Sequence, residues 1–433
     1  MSTINTKSLS GFAEYLPEAQ LEFDRMRDTV HSIYALHGFT SLDLPLIYRS
    51  EVLLAKAGGE TEKQIYTLQR GDNELALRFD LTVPLARYVA ENQGQLNFPL
   101  KIAQITKAYR GERAQHGRFR EFYQCDADII GRGELDLAYD AEIIGLIIAT
   151  YSELNLGNFT VHVSNRKILS GLIVSLGLGS KTAEILRAVD RIKKVSIGEF
   201  KAELEQLGLN GEQVLELTEL VNITGTNTEI LDTLRKLPSQ SEQLAEGIDE
   251  LARVIETLEL QKKTSNIQVD LQIARGLDYY TGTVFETILE DLPELGSVAG
   301  GGRYDNLAGN FSKDKYPGVG MSIGLTRLFA GLQKAGKLNQ AASTRTEALI
   351  LPIDQSRQQL EFCFNLADTL RGANKSVDIL LQDMPIKKKL KYADKIGVAN
   401  VVVVGDDEVS SGRTLVKNMK TGEVANLDEF IRE

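Results

Sequence analysis

Apolar residues recur at steps of three and four through Phe23, Met26, Val30, Ile33 and Leu36, which predicts an amphipathic helix entered at Pro17 and closed by Gly38. The period then shortens to two. Phe39–Leu46 predicts a short strand, and Pro45, with no N–H for a ladder, places it at a sheet edge or an interface. Gln64–Leu68 and Glu74–Phe79 flank Arg70-Gly71-Asp72-Asn73 as a β-hairpin, and Val83-Pro84 open a helix. Asp80 and Thr82, just ahead of that helix, suit either its cap or a substrate ammonium. Tyr109–Gly131 alternates as strand, polar loop and strand. Phe119, Glu121, Tyr123, Cys125 and Ala127 share one face, and Arg120, Phe122, Gln124, Asp126 and Asp128 the other. Glu134–Leu154 predicts a helix and Phe159–Ser164 a strand.

From Arg166 to Lys263 the pattern is leucine-spaced and laced with charge, as in Ala183–Lys194, Glu212–Val221 and Gln243–Leu258, and it predicts an inserted helical module. Strand alternation returns at Val269, Leu271, Ile273 and Arg275, is broken by Arg275-Gly276-Leu277-Asp278-Tyr279-Tyr280, and resumes over Thr283–Leu289. Gly300-Gly301-Gly302-Arg303-Tyr304-Asp305 suits a sharp turn or a close backbone approach to a ligand. Val319, Met321 and Ile323 then predict a strand that runs through Gly324 into a helix over Leu325–Leu332, with Arg327 in its first turn. After a polar linker at Lys334–Glu347, strands at Ala348–Ile353, Val377–Leu381 and Asn400–Val404 alternate with helices at Gln358–Leu370 and Ile386–Ile396. That order predicts a small, mostly parallel α/β domain. Lys387, Lys388, Lys389, Lys391 and Lys395 make its second helix basic, which by itself predicts a solvated face.

Composition narrows the function classes. The 433 residues are 42% hydrophobic and 25% charged, enough for two or three domains with a substantial core. No apolar run approaches the roughly 18 residues of a membrane span, and the polar N-terminus carries no export core, so a cytoplasmic, membrane-free protein is expected. Cys125 and Cys363 stand far apart without histidine neighbours at ligand spacing, which argues against a disulfide framework or a zinc site. A net charge of −11 argues against indiscriminate DNA or RNA binding and leaves room for a local basic surface. Gly318, Gly320 and Gly324 miss the dinucleotide spacing by one residue and no P-loop is present. Arginines at 110, 113, 118 and 120 around one loop nevertheless suit phosphate, because each planar fork donates paired, charge-assisted hydrogen bonds.

These segments together resemble a class II aminoacyl-tRNA synthetase, and in detail the histidyl-tRNA synthetase family, over essentially the whole chain. Phe39–Leu46 resembles motif 1, Tyr109–Gly131 motif 2 and Gly318–Leu328 motif 3. Arg275–Tyr280 and Gly300–Tyr304 resemble the two histidine-specific segments, which distinguishes the chain from threonyl and prolyl enzymes. The resemblance implies an α+β catalytic domain, an antiparallel sheet flanked by helices, in two parts at 1–165 and 265–334. It implies a helical insertion at 166–264, a linker at 335–347 and a C-terminal α/β anticodon-binding domain at 348–433, assembled as a homodimer. It also implies that L-histidine, ATP with Mg²⁺, and tRNA(His) are the partners. Arg110 and Arg275 would be catalytic at the α-phosphate and substrate carboxylate. Glu112 would meet the adenine amine, Arg118 the γ-phosphate, Arg327 the adenine face and terminal phosphate, and Gln115 the tRNA acceptor end. Asp80, Thr82 and Gln124 would hold the histidine amino group, and Asp128, Tyr280 and Tyr304 the imidazole, with Tyr279 alongside. The chain departs from the family pattern at Thr326, where glutamate usually precedes the motif 3 arginine, at Tyr48, where glutamate is common, and at Gly111. A synthetase-like regulatory protein, of the ATP phosphoribosyltransferase regulatory-subunit type, is the alternative; such proteins typically lack the anticodon domain or the catalytic arginines, and both are present here.

Overall fold

The computed structural model describes residues 4–54, 62–112, 117–237, 241–273, 279–305, 307–338 and 344–432, with the side chain of residue 307 excepted. The chain divides into two compact units, one comprising residues 1–13 and 26–337 and the other 14–25 and 338–433.

The strands of the first unit are β1 (Thr40–Ser41), β2 (Ile47–Arg49), β3 (Thr67–Arg70), β4 (Asn73–Leu77), β5 (Leu100–Tyr109), β6 (Glu121–Ile130), β7 (Phe159–Asn165), β8 (Ile267–Val269), β9 (Thr283–Leu289), β10 (Ala299–Tyr304) and β11 (Gly318–Gly324). Eight of them form one sheet in the order β1-β5-β6-β11-β10-β9-β7-β8. The six inner strands run antiparallel, and each outermost strand lies parallel to its neighbour. Of the odd-numbered residues of β6, Cys125, Ala127 and Ile129 are fully buried on one face, and Glu121 and Tyr123 are partly buried. The even-numbered Gln124, Asp126 and Asp128 form the polar face anticipated from alternation. The hairpin also forms, as β3 and β4 around Gly71, and pairs with β2 in a separate three-stranded sheet.

Several expectations change. The strand expected over Phe39–Leu46 is reduced to Thr40–Ser41, because the Leu44 and Pro45 carbonyls accept from the buried Arg78 guanidinium at 2.7 and 3.3 Å and Pro45 has no N–H to offer a ladder. The strand expected through Val269, Leu271, Ile273 and Arg275, the last outside the described residues, stops at Val269, where Asp270 Oδ1 accepts the Gln272 N–H at 3.0 Å in a tight turn. Leu271 and Ile273 are buried all the same. In the helix Pro17–Leu36, Leu36 is 78% exposed and Tyr34 takes the buried position, its hydroxyl donating to the Cys125 carbonyl at 3.0 Å. Gly300–Gly302, for which a turn was one reading, lie in β10. A Cβ at Gly301 would stand 2.1 Å from the Gly320 carbonyl oxygen and at Gly302 2.6 Å from that of Thr283, so glycine is what lets the neighbouring strands close up here.

The region 166–264 is helical, with Arg166–Ser175, Thr182–Arg191, Ile197–Gln206, Gly211–Val221, Asn227–Arg235 and Glu242–Leu260. Ser196, Asn210 and Thr226 begin three of these with reciprocal capping boxes to Glu199, Gln213 and Glu229.

The second unit holds β12 (Ala348–Pro352), β13 (Val377–Ile379), β14 (Asn400–Val404), β15 (Leu415–Asn418) and β16 (Val424–Asn426) in the order β13-β12-β14-β15-β16. The first three are parallel, as expected, and β15 and β16 add an antiparallel edge that the sequence pattern did not reveal. The helices Arg357–Gly372 and Ile386–Lys395 pack on this sheet. Lys387, Lys388, Lys391 and Lys395 form the solvated basic face as read, and only Lys389 departs from it: it is 0% exposed and its Nζ donates to the Pro352 carbonyl at 2.7 Å.

Candidate functional site

The polar face of the large sheet is lined by glycine on one side and carboxylate on the other. Asp128 on β6 stands opposite Gly320 on β11, and Gly302 on β10 stands opposite Gly320 in turn. A Cβ at Gly320 would lie 2.0 Å from Asp128 Oδ1, and one at Gly318 2.4 Å from the Tyr304 ring. The missing side chains leave the room into which Asp128 and Tyr304 lie down over the strand. Tyr304 Oη donates to Asp128 Oδ1 at 3.0 Å, and the two residues are only 2% and 3% exposed. Tyr279 stacks edge-on against both Tyr280 and Tyr304, with centroids 4.9 and 6.1 Å apart. The sequence-predicted Asp128 and Tyr304, both buried, and Tyr279 and Tyr280, partly buried, therefore share one cluster, although they lie up to 176 positions apart.

Beside this cluster lies Asp80, 2% exposed, at the start of the helix Thr82–Asn92. Its Oδ1 accepts the Val83 N–H at 3.3 Å, so the capping role is real, while Oδ2 is buried without a donor. Gln124 Oε1, Asp126 Oδ1 and Gln104 Oε1 are likewise buried acceptors without a donor. Each would cost about 1–3 kcal/mol if left so, which makes this face a place for a ligand rich in N–H groups. Burial pushes the Asp80 carboxyl up to about 6, opposed by the Val83 N–H and the Arg110 charge. Burial pushes Asp128 up to about 7, opposed by the Tyr304 hydrogen bond and reinforced by the Asp80 charge.

A cavity of about 470 Å³ opens next to these groups, lined on one wall by Arg110, Glu112, Arg118, Phe122 and Gln124 and on the other by Ser297–Gly300, Ser322 and Arg327. Arg110 lies over the Phe122 ring at 5.1 Å and donates through Nε to the Phe79 carbonyl at 3.1 Å. Arg118 and Glu112 pair with each other at 3.3 Å at the exposed rim, a contact of small energy. Arg327, in the first turn of the helix Leu325–Lys334, donates to the Leu295 carbonyl. Arg275 and Gln115 fall at positions 274–278 and 113–116, outside the described residues.

The family departures have local explanations. The Thr326 hydroxyl accepts the Tyr123 N–H at 2.8 Å, tying the motif 3 helix to β6 directly ahead of Arg327. Tyr48 is buried with the Arg87 guanidinium 5.7 Å over its ring. A Cβ at Gly111 would stand 3.2 Å from the Gln64 carbonyl oxygen, which accepts the Gly111 N–H at 2.7 Å.

Sequence reasoning left three supporting groups unassigned. Asp126 sits on the polar face between Gln124 and Asp128, so alternation marked it. Ser322 sits on β11 within the motif 3 segment. Arg303, adjoining Tyr304, projects to the opposite face and forms a buried ion pair with Asp140 at 2.7 Å, with further bonds to the Leu135 and Asp136 carbonyls at 3.0 Å.

Comparison with known proteins was consistent along the whole chain. A family model described as histidyl-tRNA synthetase matches residues 11–328, and one described as an anticodon binding domain matches residues 347–433. The chain is 45% identical over 428 residues to a protein of Clostridium tetani named histidine–tRNA ligase, covering 98% of this chain and 97% of that one. It is 41% identical over 433 residues to a protein of the same name from Finegoldia magna, covering 99% of each. The crystal structure of histidyl-tRNA synthetase from a Nostoc species superposes with a TM-score of 0.91 at 35% identity, covering 99% of both chains. A regulatory-subunit/synthetase protein of Bacillus halodurans shares the fold with a TM-score of 0.78 at 22% identity.

Proposed function

The chain belongs to the histidyl-tRNA synthetase family, and from that premise we propose how its pocket carries out the family's reaction. The activity is that of a class II histidine–tRNA ligase: ATP-dependent activation of L-histidine to histidyl-adenylate, then transfer of histidine to tRNA(His). The observation that carries the residue assignments is the set of buried acceptors without donors beside the Asp128–Tyr304 pair. An α-ammonium brings three N–H donors, which suit Asp80 Oδ2, Gln124 Oε1 and the Thr82 hydroxyl. The imidazole lies against Asp128 and Tyr304 with Tyr279 and Tyr280 closing the pocket. A site built to pair both ring nitrogens rejects analogues lacking them by about 10⁴–10⁵, so no editing site is called for.

The substrate α-carboxyl, with a reference pKa of about 3.3–3.7, is ionised at neutral pH and needs no base. One of its oxygens bonds to the α-phosphorus, the bond to the bridging oxygen breaks, and pyrophosphate leaves. Arg110 and Arg275 stabilise the negative charge on the α-phosphoryl oxygens as the bond forms. Glu112 holds the adenine amine, Arg118 the γ-phosphate, and Arg327 the adenine face and terminal phosphate. Mg²⁺ would accompany ATP as its counter-ion and would offset the charge of the phosphates. The terminal hydroxyl of the tRNA, guided by Gln115, then attacks the activated carbonyl and AMP leaves.

The C-terminal domain at 348–433, joined through a linker at 335–347, reads the anticodon, and the helical module at 166–264 is inserted into the catalytic domain. The enzyme works as a homodimer, a reading supported by the exposed Leu46, Ile47 and Leu68 on and beside the three-stranded sheet next to motif 1. It acts in the cytoplasm, where translation requires it; among the described residues no helix is long and apolar enough to cross a membrane. Amino-acid-dependent ATP–pyrophosphate exchange tests the proposal. Histidine alone among the standard amino acids should support exchange, whereas a silent regulatory protein would bind histidine and exchange nothing.

A further inference from the structure

Gln124 can present either end of its amide to the pocket, and only the oxygen can accept from a substrate ammonium. The neighbouring contacts decide which end is free. Gln124 Nε2 donates to Ser322 Oγ at 2.8 Å, and Oε1 remains buried without a donor. Ser322 is the cross-strand partner of Asp126, and its hydroxyl opposes the burial that raises that carboxyl. A hydroxyl has a single proton; given to Asp126, it leaves Ser322 Oγ only able to accept from Gln124. On the other side, Asp126 stands opposite Gln104, whose Nε2 donates to the Leu81 carbonyl at 3.1 Å. That bond leaves Gln104 Oε1 and, on its cross-strand partner, Asp126 Oδ1 as two buried acceptors without a donor, and a proton on Asp126 would supply one.

We infer that Asp126, acting through Ser322, is the positioning residue that fixes the Gln124 amide with Oε1 toward the α-ammonium of the amino-acid substrate. The inference rests on the reading of the pocket given above. In this relay Asp126 acts as a neutral acid, donating to Gln104 and accepting from Ser322, so each member points the next. Burial, which holds this carboxyl well above the usual carboxylate range, and the nearby Asp128 and Asp80 charges favour the neutral form against the opposing Ser322 bond and Arg110 charge. The polarity runs from the Leu81 carbonyl through Gln104 on β5, Asp126 on β6 and Ser322 on β11 to Gln124.

The test compares equilibrium binding of L-histidine with that of 3-(imidazol-4-yl)propionate, which keeps ring and carboxylate and lacks the amino group. In the unaltered protein, histidine should bind much more tightly than the analogue. Ser322→Ala should lower that preference about 10- to 150-fold, the range for a hydrogen bond to a charged group. Asp126→Leu should lower it similarly, and Asp126→Asn should restore it, because an asparagine amide can donate to Gln104 and accept from Ser322. An unchanged preference in Ser322→Ala overturns the relay, as does a collapse in Asp126→Asn equal to that in Asp126→Leu, which would mean that the carboxylate charge attracts the ammonium directly. Equal affinity for the two ligands in the unaltered protein would instead overturn the ammonium reading of the pocket.

Discussion

Replacing Tyr304 with phenylalanine removes one hydroxyl from the interior and nothing else. The ring keeps its place over Gly318, where a Cβ would come within 2.4 Å of it, and its edge contact with Tyr279 at 6.1 Å. What is lost is the 3.0 Å hydrogen bond to Asp128 Oδ1, in a setting where both residues are buried. A buried hydrogen bond to a charged group contributes about 1.5–3 kcal/mol, or about 10- to 150-fold in an equilibrium constant. Tyr304 is also the bond that opposes burial in setting the Asp128 carboxyl at about 7, so its loss moves that carboxyl higher still. At pH 7 the variant then holds Asp128 mostly protonated and unable to accept an imidazole N–H as a carboxylate. KM for histidine in pyrophosphate exchange should rise within that range at pH 7 and recover as pH is raised to 8.5, more steeply than in the unaltered enzyme. KM for ATP should stay put, because the arginine-lined cavity does not involve the phenol. A parallel rise in both KM values, or a histidine KM that ignores pH, would refute the reasoning.

Arg275→Ala should cut kcat for adenylation by about 10²–10³ with little change in KM for ATP, as expected for a group acting on transition-state charge, and lysine should rescue it only in part. A near-native pre-steady-state rate in a folded, dimeric sample would remove the catalytic assignment. Deleting 347–433 should leave adenylate formation measurable and depress aminoacylation severely; loss of both in parallel would mean that the tail supports the catalytic fold. Asp128→Asn should alter the pH dependence of stability. The folded protein keeps a proton on Asp128 up to about pH 7, while the unfolded chain releases it near 4. Its contribution is therefore present below about pH 4 and is lost as pH rises through 7, at about 1.4 kcal/mol per pH unit. Urea unfolding between pH 4.5 and 7 should show a shallower decline in the variant, and identical slopes would exclude the shifted carboxyl.

Local pattern determined a large part of this protein. Period-two alternation marked β6 and put Gln124, Asp126 and Asp128 on one face, because successive side chains of any strand point to opposite sides. Thr283–Leu289 and Asn400–Val404 could be read to the residue, since their ends are marked by polar or glycine neighbours. The Gly300–Tyr304 and Gly318–Gly324 segments stood out as compositions with no purpose in an ordinary strand. What alternation cannot carry is which strand lies next to which, and that is what made these glycines intelligible: Gly320 makes room for an aspartate 192 positions earlier in the chain, and Gly301 for the Gly320 carbonyl. The same limit explains the misreadings. Leu271 and Ile273 are as buried as strand residues but sit in a turn, because burial follows the tertiary environment rather than the local ladder. Lys389 looks like one more solvated lysine until the Pro352 carbonyl is folded against it, and Ser322 looks neutral until Asp126 and Gln124 reach it from the neighbouring strand. A residue's type states what it can donate or accept; only the packed sheet supplies the partner, and with it the direction of each bond.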